Sequence, residues 1–365
     1  MFSRIDPTRR AFLLSLVALS FGIASCQPQT PTAPSADTNA PSSPAANTGG
    51  ESVTLNGAGA SFPAPLYQRW FSEYNKVNPN TKISYQSVGS GAGVKQFTAG
   101  TIDFGASDTG MTKEEIAKVS RGVLLVPATA GSIVLAYNLP GVEGIRLSRD
   151  VYPDILLGKI TNWNDPRIAK INPDLKLPDQ PITVIYRSDG SGTTAALTKH
   201  LSTISPAWKS GPGEGKSVSW PVGTGAKGNE GITAQIQQTQ GAIGYTEYGY
   251  ATQNKIPFAI LENKAGQYVA ATPESASAAL ASVTLPEDFL GFAPDPEGAE
   301  SYPIVSYSWI LAYKNYDDQA KAQAVENVLK WGLTEGQRFS SELGYVPLPE
   351  SVVSKVQPAV DALSQ

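Results

Sequence analysis

Ser52-Val53-Thr54-Leu55-Asn56-Gly57-Ala58-Gly59-Ala60-Ser61-Phe62 opens with a short β-rich run, Ser52 to Leu55, and passes directly into a turn of Gly, Ala and Ser. A helix follows at once, with Pro65 near its first position, where a missing N–H costs little. Leu66, Trp70, Tyr74 and Val77 share one face of it, and Asn78-Pro79 stops it. Strand, Gly-rich turn and helix then recur. Lys82 to Val88 predicts a strand, Gly89 to Gly93 a turn and Val94 to Ala99 a helix. Pro181 to Tyr186 predicts another strand, and Asp189-Gly190-Ser191-Gly192-Thr193 leads into a helix through Leu197 and Leu201. Alternation of this kind is the signature of an α/β fold.

Between these units the pattern predicts a strand at Ile102 to Ala106 and a capping box at Thr112-Lys113-Glu114-Glu115 that starts a helix to Val119. Two strands, Val123 to Val126 and Ile133 to Tyr137, are expected around the breakers Pro127 and Gly131, where a hinge crossing is placed. Asn229 to Gln240 and Pro273 to Ser282 read as helices, and Ala242 to Tyr245 as a strand. Ile304 to Tyr313 is expected to be the return crossing, followed by helices near Asp317 to Trp331 and Glu350 to Leu363.

The N-terminus stands apart from this body. Arg4, Arg9 and Arg10 precede an apolar run, Ala11 to Ala24, too short to span a bilayer core of roughly 20 residues. Residues 1–25 are therefore expected to be a signal peptide. The ending Ile23-Ala24-Ser25-Cys26 resembles a bacterial lipobox, with Cys26 as the lipidation site. Thr8-Arg9-Arg10-Ala11-Phe12-Leu13 also fits a twin-arginine signal, so both export routes stay open. Residues 26–51 contain five Pro and no aliphatic side chain larger than Ala. They are expected to be a disordered tether with a reach of roughly 25–30 Å. The 314 residues from Ser52 onward suggest two domains.

Cys26 is the only cysteine, which excludes an intramolecular disulfide and a thiolate metal cluster. Loss of residues 1–25 moves the formal charge from −4 to about −6. An acidic body argues against nucleic acid as a partner, and any anion capture must rest on local dipoles. A helix N-terminus supplies these through its unpaired N–H groups and positive dipole end. Taken singly, each Gly-Ser turn is better explained by turn and cap chemistry. Three in one chain, with Arg187 ahead of the third, make anion binding an equal reading.

Enzyme signatures fit the same segments poorly. Asp108-Thr109-Gly110 matches an aspartic-protease triplet, but no second copy exists to share a proton. Gly190 to Ala195 fits a dinucleotide fingerprint whose distal carboxylate is badly placed, and Gly211 to Ser217 has Ser210 where a P-loop needs its first Gly. His200, the only histidine, sits among Ala and Leu and reads as a structural residue.

Four stretches carry a resemblance: Gly57 to Pro65, Gly89 to Gln96, Asp103 to Asp108 and Arg187 to Thr193. Lys227 to Gly231 and Gly241 to Tyr245 add to it. Together they resemble the substrate-binding proteins of phosphate-specific ABC transporters over nearly all of residues 53–345. The resemblance implies a two-lobed periplasmic-binding-protein fold of type II, with two α/β domains joined by crossing hinge strands. Lobe I would hold 52–130 plus 306–365 and lobe II 131–305. It implies a lipid-anchored, monomeric protein in the periplasm or on the outer face of the cell membrane. Such a protein is not an enzyme, takes no cofactor or metal, and passes inorganic phosphate to permease subunits. The alternative is an exported phosphatase or phosphoryl-handling hydrolase.

Matching motif positions, the resemblance implies phosphate contacts at Ser61, Phe62, Ser90, Asp108, Arg187, Ser191, Gly192 and Thr193. Hydroxyls of Ser61, Ser90, Ser191 and Thr193 would donate, as would backbone N–H groups of Phe62, Gly192 and Thr193. Arg187 would supply the cation, with Asp189 pairing to it. Asp108, which as an ionised carboxylate only accepts hydrogen bonds, would accept the proton that phosphate keeps near neutral pH and sulfate lacks. Two positions depart from the family's habit. Ser61 stands where Thr is frequent, and Gly91-Ala92 where Ser-Gly is common.

Overall fold

The computed structural model describes residues 52–281 and 283–365. The expected signal peptide, Cys26 and the tether lie outside the described residues, as does Ser282. The chain begins β1 (Val53–Gly59), α1 (Ala64–Val77), β2 (Thr81–Ser87), α2 (Ser90–Thr98), β3 (Phe104–Ser107), α3 (Lys113–Ile116) and β4 (Val123–Tyr137). It continues through β5 (Arg146–Leu147), α4 (Val151–Leu156), α5 (Pro166–Ile171), β6 (Thr183–Arg187), α6 (Gly192–Ile204), α7 (Pro206–Ser210) and β7 (Thr224–Ala226). Next come α8 (Gly228–Gln238), β8 (Ala242–Glu247), α9 (Tyr248–Gln253), β9 (Ile260–Glu262), β10 (Tyr268–Val269) and α10 (Pro273–Leu280). It closes with β11 (Val305–Tyr313), α11 (Gln319–Leu333), α12 (Arg338–Glu342) and α13 (Glu350–Asp361).

An eight-stranded sheet runs in the order β2-β1-β3-β11-β4-β8-β6-β7, beside a small sheet β10-β9-β5. β1 is parallel to both β2 and β3, and β6 to both β7 and β8. Helices begin just beyond the C-terminal ends of β1, β2 and β6. In parallel sheets that edge is where ligands bind.

β4 joins the two parallel groups. Its residues 123–132 pair antiparallel with β11, and residues 133–137 pair antiparallel with β8. All fifteen residues are buried, as are the nine of β11. The sequence led us to expect two strands here, broken at Pro127 and Gly131, but one strand passes through both. Pro127 cannot donate to a ladder, and the register shifts beside it: Ser308 faces Thr129 while Trp309 faces Pro127, so Ala128 is the extra residue of a bulge.

Helix α2 starts at Ser90, four residues earlier than the pattern suggested. Gly and Ser are weak helix formers, so local propensity places the start late. The first turn is closed by Gly93 N–H to Gly89 O at 3.0 Å and held from outside by Gly91 N–H to Gly190 O at 2.7 Å. The capping box at Thr112 and Glu115 is present with both reciprocal bonds, but α3 ends at Ile116 rather than Val119. Elements α4, α5, α7, α9, α12, β5, β7, β9 and β10 were not anticipated; each has six residues or fewer, too few for periodicity to register.

Buried aromatics fix the layers. Trp70 donates its indole N–H to Gly336 O at 2.8 Å, tying α1 to the C-terminal helices. Phe97 of α2 stacks on Tyr313 of β11 at 4.1 Å between centroids, and Tyr313 donates its hydroxyl to Phe97 O and Ile102 O. The turn after β1 is tighter still. Gly59 has φ +152°, and a Cβ there would lie 2.2 Å from Ala106 O. Gly59→Ala is expected to destabilise the protein by about 1–3 kcal/mol, the usual range for overpacking. A urea melt should show a lower midpoint at unchanged slope.

Candidate anion-binding site

Six segments of chain meet where the strands of the large sheet end. The turn from β1 to α1 brings Ser61 and Phe62, the first residue of α2 is Ser90, and Asp108 follows β3 directly. Arg187 ends β6, while Ser191 caps α6 and Gly192 and Thr193 form its first turn. Asn229 lies in the first turn of α8, and Ser308 is in β11. Ser61, Phe62, Ser90, Asp108, Ser191, Thr193, Asn229 and Ser308 are each at most 1 % exposed, and Arg187 is 4 % exposed. Polar groups so deeply buried need partners, and the partners chosen define what the site accepts.

The serine hydroxyls are met by N–H donors. Ser90 Oγ accepts from Gly192 N–H at 3.1 Å and from Asp108 N–H at 3.3 Å. Ser61 Oγ accepts from Asn229 N–H at 3.0 Å and from Asn229 Nδ2 at 2.8 Å. Ser191 Oγ accepts from Thr194 N–H at 3.0 Å as the cap of α6. A hydroxyl has two acceptor sites and one proton, so these oxygens keep their own O–H to give. The backbones meet as closely: a Cβ on Gly192 would lie 2.6 Å from both Asp108 Cβ and Ser90 Oγ. Only glycine fits there. Phe62 contributes a buried ring, and its carbonyl accepts from Tyr345 Oη at 2.6 Å.

Arg187 and Asp189 form a fork, with Nε to Oδ1 at 2.7 Å and Nη2 to Oδ2 at 2.6 Å. Burial works against the guanidinium's charge, but Asp189 overrides it and the pKa is raised. Burial likewise opposes ionised Asp189, and the Arg187 bonds override it, holding that carboxyl below its ordinary value. Asp189 also accepts from Gly228 N–H at 3.1 Å. The remaining nitrogen, Nη1, points to Thr193 Oγ1 at 3.5 Å.

Asp108 Oδ1 accepts from Ser308 Oγ at 2.8 Å, and Oδ2 accepts from Thr193 Oγ1 at 3.4 Å. Burial pushes its carboxyl up to about 6, against the opposing pull of Ser308, Arg187, Thr193 and Ser90. One arginine against two carboxylates leaves this cluster formally negative. Attraction for an anion must come from hydroxyls, backbone N–H groups and helix starts.

Other candidates resolve as structure. His200 is buried, with Nδ1 donating to Pro294 O at 2.6 Å and Nε2 accepting from Tyr152 Oη at 2.7 Å. Burial lowers its pKa to about 4, so the ring is neutral. Gly211 to Ser217 starts no helix; Lys216 O accepts from Ser191 N–H at 2.8 Å, and Lys216 Nζ pairs with Glu115. Among the described residues no group of three or more His, Cys, Asp or Glu is placed to hold a metal.

Sequence reasoning missed two residues of this network. Asn229 lies in a stretch that drew attention, but nothing in its spacing pointed to Ser61, 168 positions away. Ser308 gave no signal, being one small residue in a buried strand 200 positions from Asp108.

The family model described as a PBP superfamily domain matches residues 30–335. The phosphate-binding protein PstS of Pasteurella multocida is 46% identical over 312 residues, 84% of this chain and 90% of that one. PstS of Xylella fastidiosa (strain Temecula1) is 40% identical over 353 residues, 95% of this chain and 96% of its own. Among solved structures, PfluDING, a high-affinity periplasmic phosphate-binding protein with phosphate bound, superposes with a TM-score of 0.69. It is 19% identical, with 84% of this chain and 93% of that one covered, and the likeness is one of fold. The chain belongs to the PBP superfamily and, within it, to the family of the PstS phosphate-binding proteins.

Proposed function

We propose that this protein binds inorganic phosphate outside the cytoplasmic membrane and passes it, unaltered, to the permease subunits of an ABC transporter. The observation that carries the reading is the pairing of one acceptor-only carboxylate with a cradle of donors. Ser61, Ser90, Ser191 and Thr193 present hydroxyls, Phe62 and Thr193 present N–H groups, Arg187 gives one fixed cation, and Gly192, whose own N–H goes to Ser90 Oγ at 3.1 Å, brings its backbone close to the ion. Asp108 faces the same space with no proton to give. Monohydrogen phosphate satisfies both, donating its one proton to Asp108 and accepting everywhere else. Sulfate has no proton for Asp108 and leaves a buried charge against a bare oxyanion. Asp189 holds Arg187 flat by its two-point fork and moderates its charge.

In this reading the protein has two lobes, 52–130 plus 306–365 and 131–305, which close on the ion about β4 and β11. That β4 changes partner from β11 to β8 between Ser132 and Ile133 supports a boundary there. The protein acts as a monomer without cofactor. Cys26 carries the lipid anchor, and residues 26–51 are the tether. No helix among the described residues is long and apolar enough to cross a membrane. The exported-phosphatase alternative is not favoured, because the relatives at 40–46% identity are named as binding proteins.

Calorimetry at pH 7 should show tight phosphate binding, with sulfate weaker by about 10⁴-fold or more, the scale for leaving a built polar partner unmatched. Comparable affinities would overturn the role of Asp108. The Asp108 carboxyl is raised to about 6, so its neutral, donating form gains below that value. The gap between the two ions should therefore narrow at pH 5, through a gain in sulfate binding. A phosphate monoester incubated with the protein should release no phosphate; steady turnover would restore the hydrolase reading. Cys26→Ala should move the protein from the membrane fraction to the soluble fraction, and unchanged fractionation would remove the anchor.

A further inference from the structure

Asn229 has a side-chain amide whose orientation the structure fixes. Its Oδ1 accepts from Glu247 N–H at 3.0 Å and from Thr246 Oγ1 at 3.1 Å. A backbone N–H can only donate, so the oxygen must lie on that side. The nitrogen is left facing Ser61 Oγ at 2.8 Å and Thr193 Oγ1 at 3.4 Å. The backbone N–H of Asn229 also donates to Ser61 Oγ, at 3.0 Å. Ser61 Oγ thus receives two donors that cannot reverse, and its own proton has to point away from Asn229.

We propose that Asn229 is a positioning residue that sets the direction of the hydrogen bonds in the cradle, forcing Ser61 and Thr193 to act as donors toward the bound ion. The inference rests on the phosphate reading and extends it. Polarity passes one way, from Glu247 N–H and Thr246 through the amide to the two hydroxyls. Thr193, receiving from Nδ2 and from Arg187 Nη1 at 3.5 Å, turns its proton toward Asp108 Oδ2 at 3.4 Å here, the side from which the ion is bound. Ser90, with two N–H donors of its own, is set in the same sense without Asn229. Ser61, Ser90 and Thr193, each with its proton committed to donation, cannot then accept from the ion, which leaves Asp108 as the acceptor for the ion's single proton. Selectivity at Asp108 depends on this arrangement, because a hydroxyl free to reverse could accept that proton instead.

Asn229→Asp replaces the donating nitrogen by an accepting oxygen and draws the protons of Ser61 and Thr193 away from the ion. Asn229→Ala removes the nitrogen and leaves the backbone donor to Ser61. Phosphate affinity is measured by calorimetry for both variants and the wild type from pH 5 to pH 8. Taking the ratio of variant to wild-type Kd at each pH cancels the titration of phosphate itself. Asn229→Ala should weaken binding about 10-fold, the scale of one hydrogen bond. Asn229→Asp should weaken it at least about 100-fold at pH 8. That ratio should shrink toward the alanine value at pH 5, because burial and the adjacent anion raise the new carboxyl above its ordinary value and let it hold a proton to give.

Equal ratios for the two variants at every pH, or losses under about 2-fold in both, would overturn the proposal and leave Asn229 a packing residue. Ser61→Ala, alone and combined with Asn229→Ala, keeps the test open should the aspartate variant not fold. The cost of Asn229→Ala should fall by at least half on a logarithmic scale once Ser61 has no hydroxyl to orient, whereas additive losses would overturn the proposal. Absence of phosphate binding by the wild type would count against the phosphate reading itself, a separate result.

Discussion

A carboxylate buried in the middle of the proposed anion site is the constraint from which this structure follows. Asp108 is 1 % exposed, and burial raises its carboxyl to about 6. Its ionised form is favoured by groups that reach it from elsewhere in the chain: Ser308 from β11, the Arg187 charge, Thr193 from α6 and Ser90. Ser308 lies at the register shift of the β4–β11 pair, beside Trp309 opposite Pro127. Irregularities of this kind recur next to functional sites, where they re-aim a side chain. The central strands therefore serve the site as well as the core. Ser306, two residues before Ser308, donates to Asp108 O at 3.0 Å, so the same strand holds both the backbone and the side chain of that residue.

What was legible in the sequence was what is encoded locally. The strand, Gly-rich turn and helix units at 53–77 and 183–204 follow from adjacent residues, and the box at Thr112 and Glu115 is complete within four positions. Pro127 misled the reading of β4, because whether a proline breaks a strand depends on whether the ladder can close around it, here by a bulge at Ala128 opposite Ser308 and Trp309, which lie about 180 residues later in the chain. The start of α2 was displaced for a related reason, since the bond that steadies Ser90 and Gly91 comes from the 190–192 turn. Six of the eight proposed contact residues form one continuous hydrogen-bonded network: Ser61, Ser90, Asp108, Arg187, Gly192 and Thr193, joined through Asn229. Ser191 is bound to that network through the helix it caps, and Phe62 follows Ser61 along the chain. Asn229 and Ser308 were invisible because each acts by orienting another residue, and such a role has no motif of its own.

The electrostatics are economical in cations. Arg187 is fully committed on one edge to Asp189, and with Asp108 nearby the cluster carries no net positive charge. A site built this way gains from fixed dipoles in a water-poor environment, where each hydrogen bond is stronger than at a surface. It also responds little to a merely anionic ligand. In the proposed reading, recognition rests on the number and direction of protons, and charge comes second.

The close approach of Gly192 to Asp108 and Ser90 bears on size. Gly192 rests there against the backbone N and the Cβ of Asp108 and against the Ser90 hydroxyl, and each side is rooted in a sheet strand: β3 behind Asp108, and β6 leading into α6. The dimensions of the proposed cradle are consequently set in large part by backbone and Cβ positions. An ion of greater radius would have to spread two anchored backbones, a stiff deformation, where a cavity walled by long side chains would simply rearrange. In the proposed reading the site would gauge bond length as well as protonation.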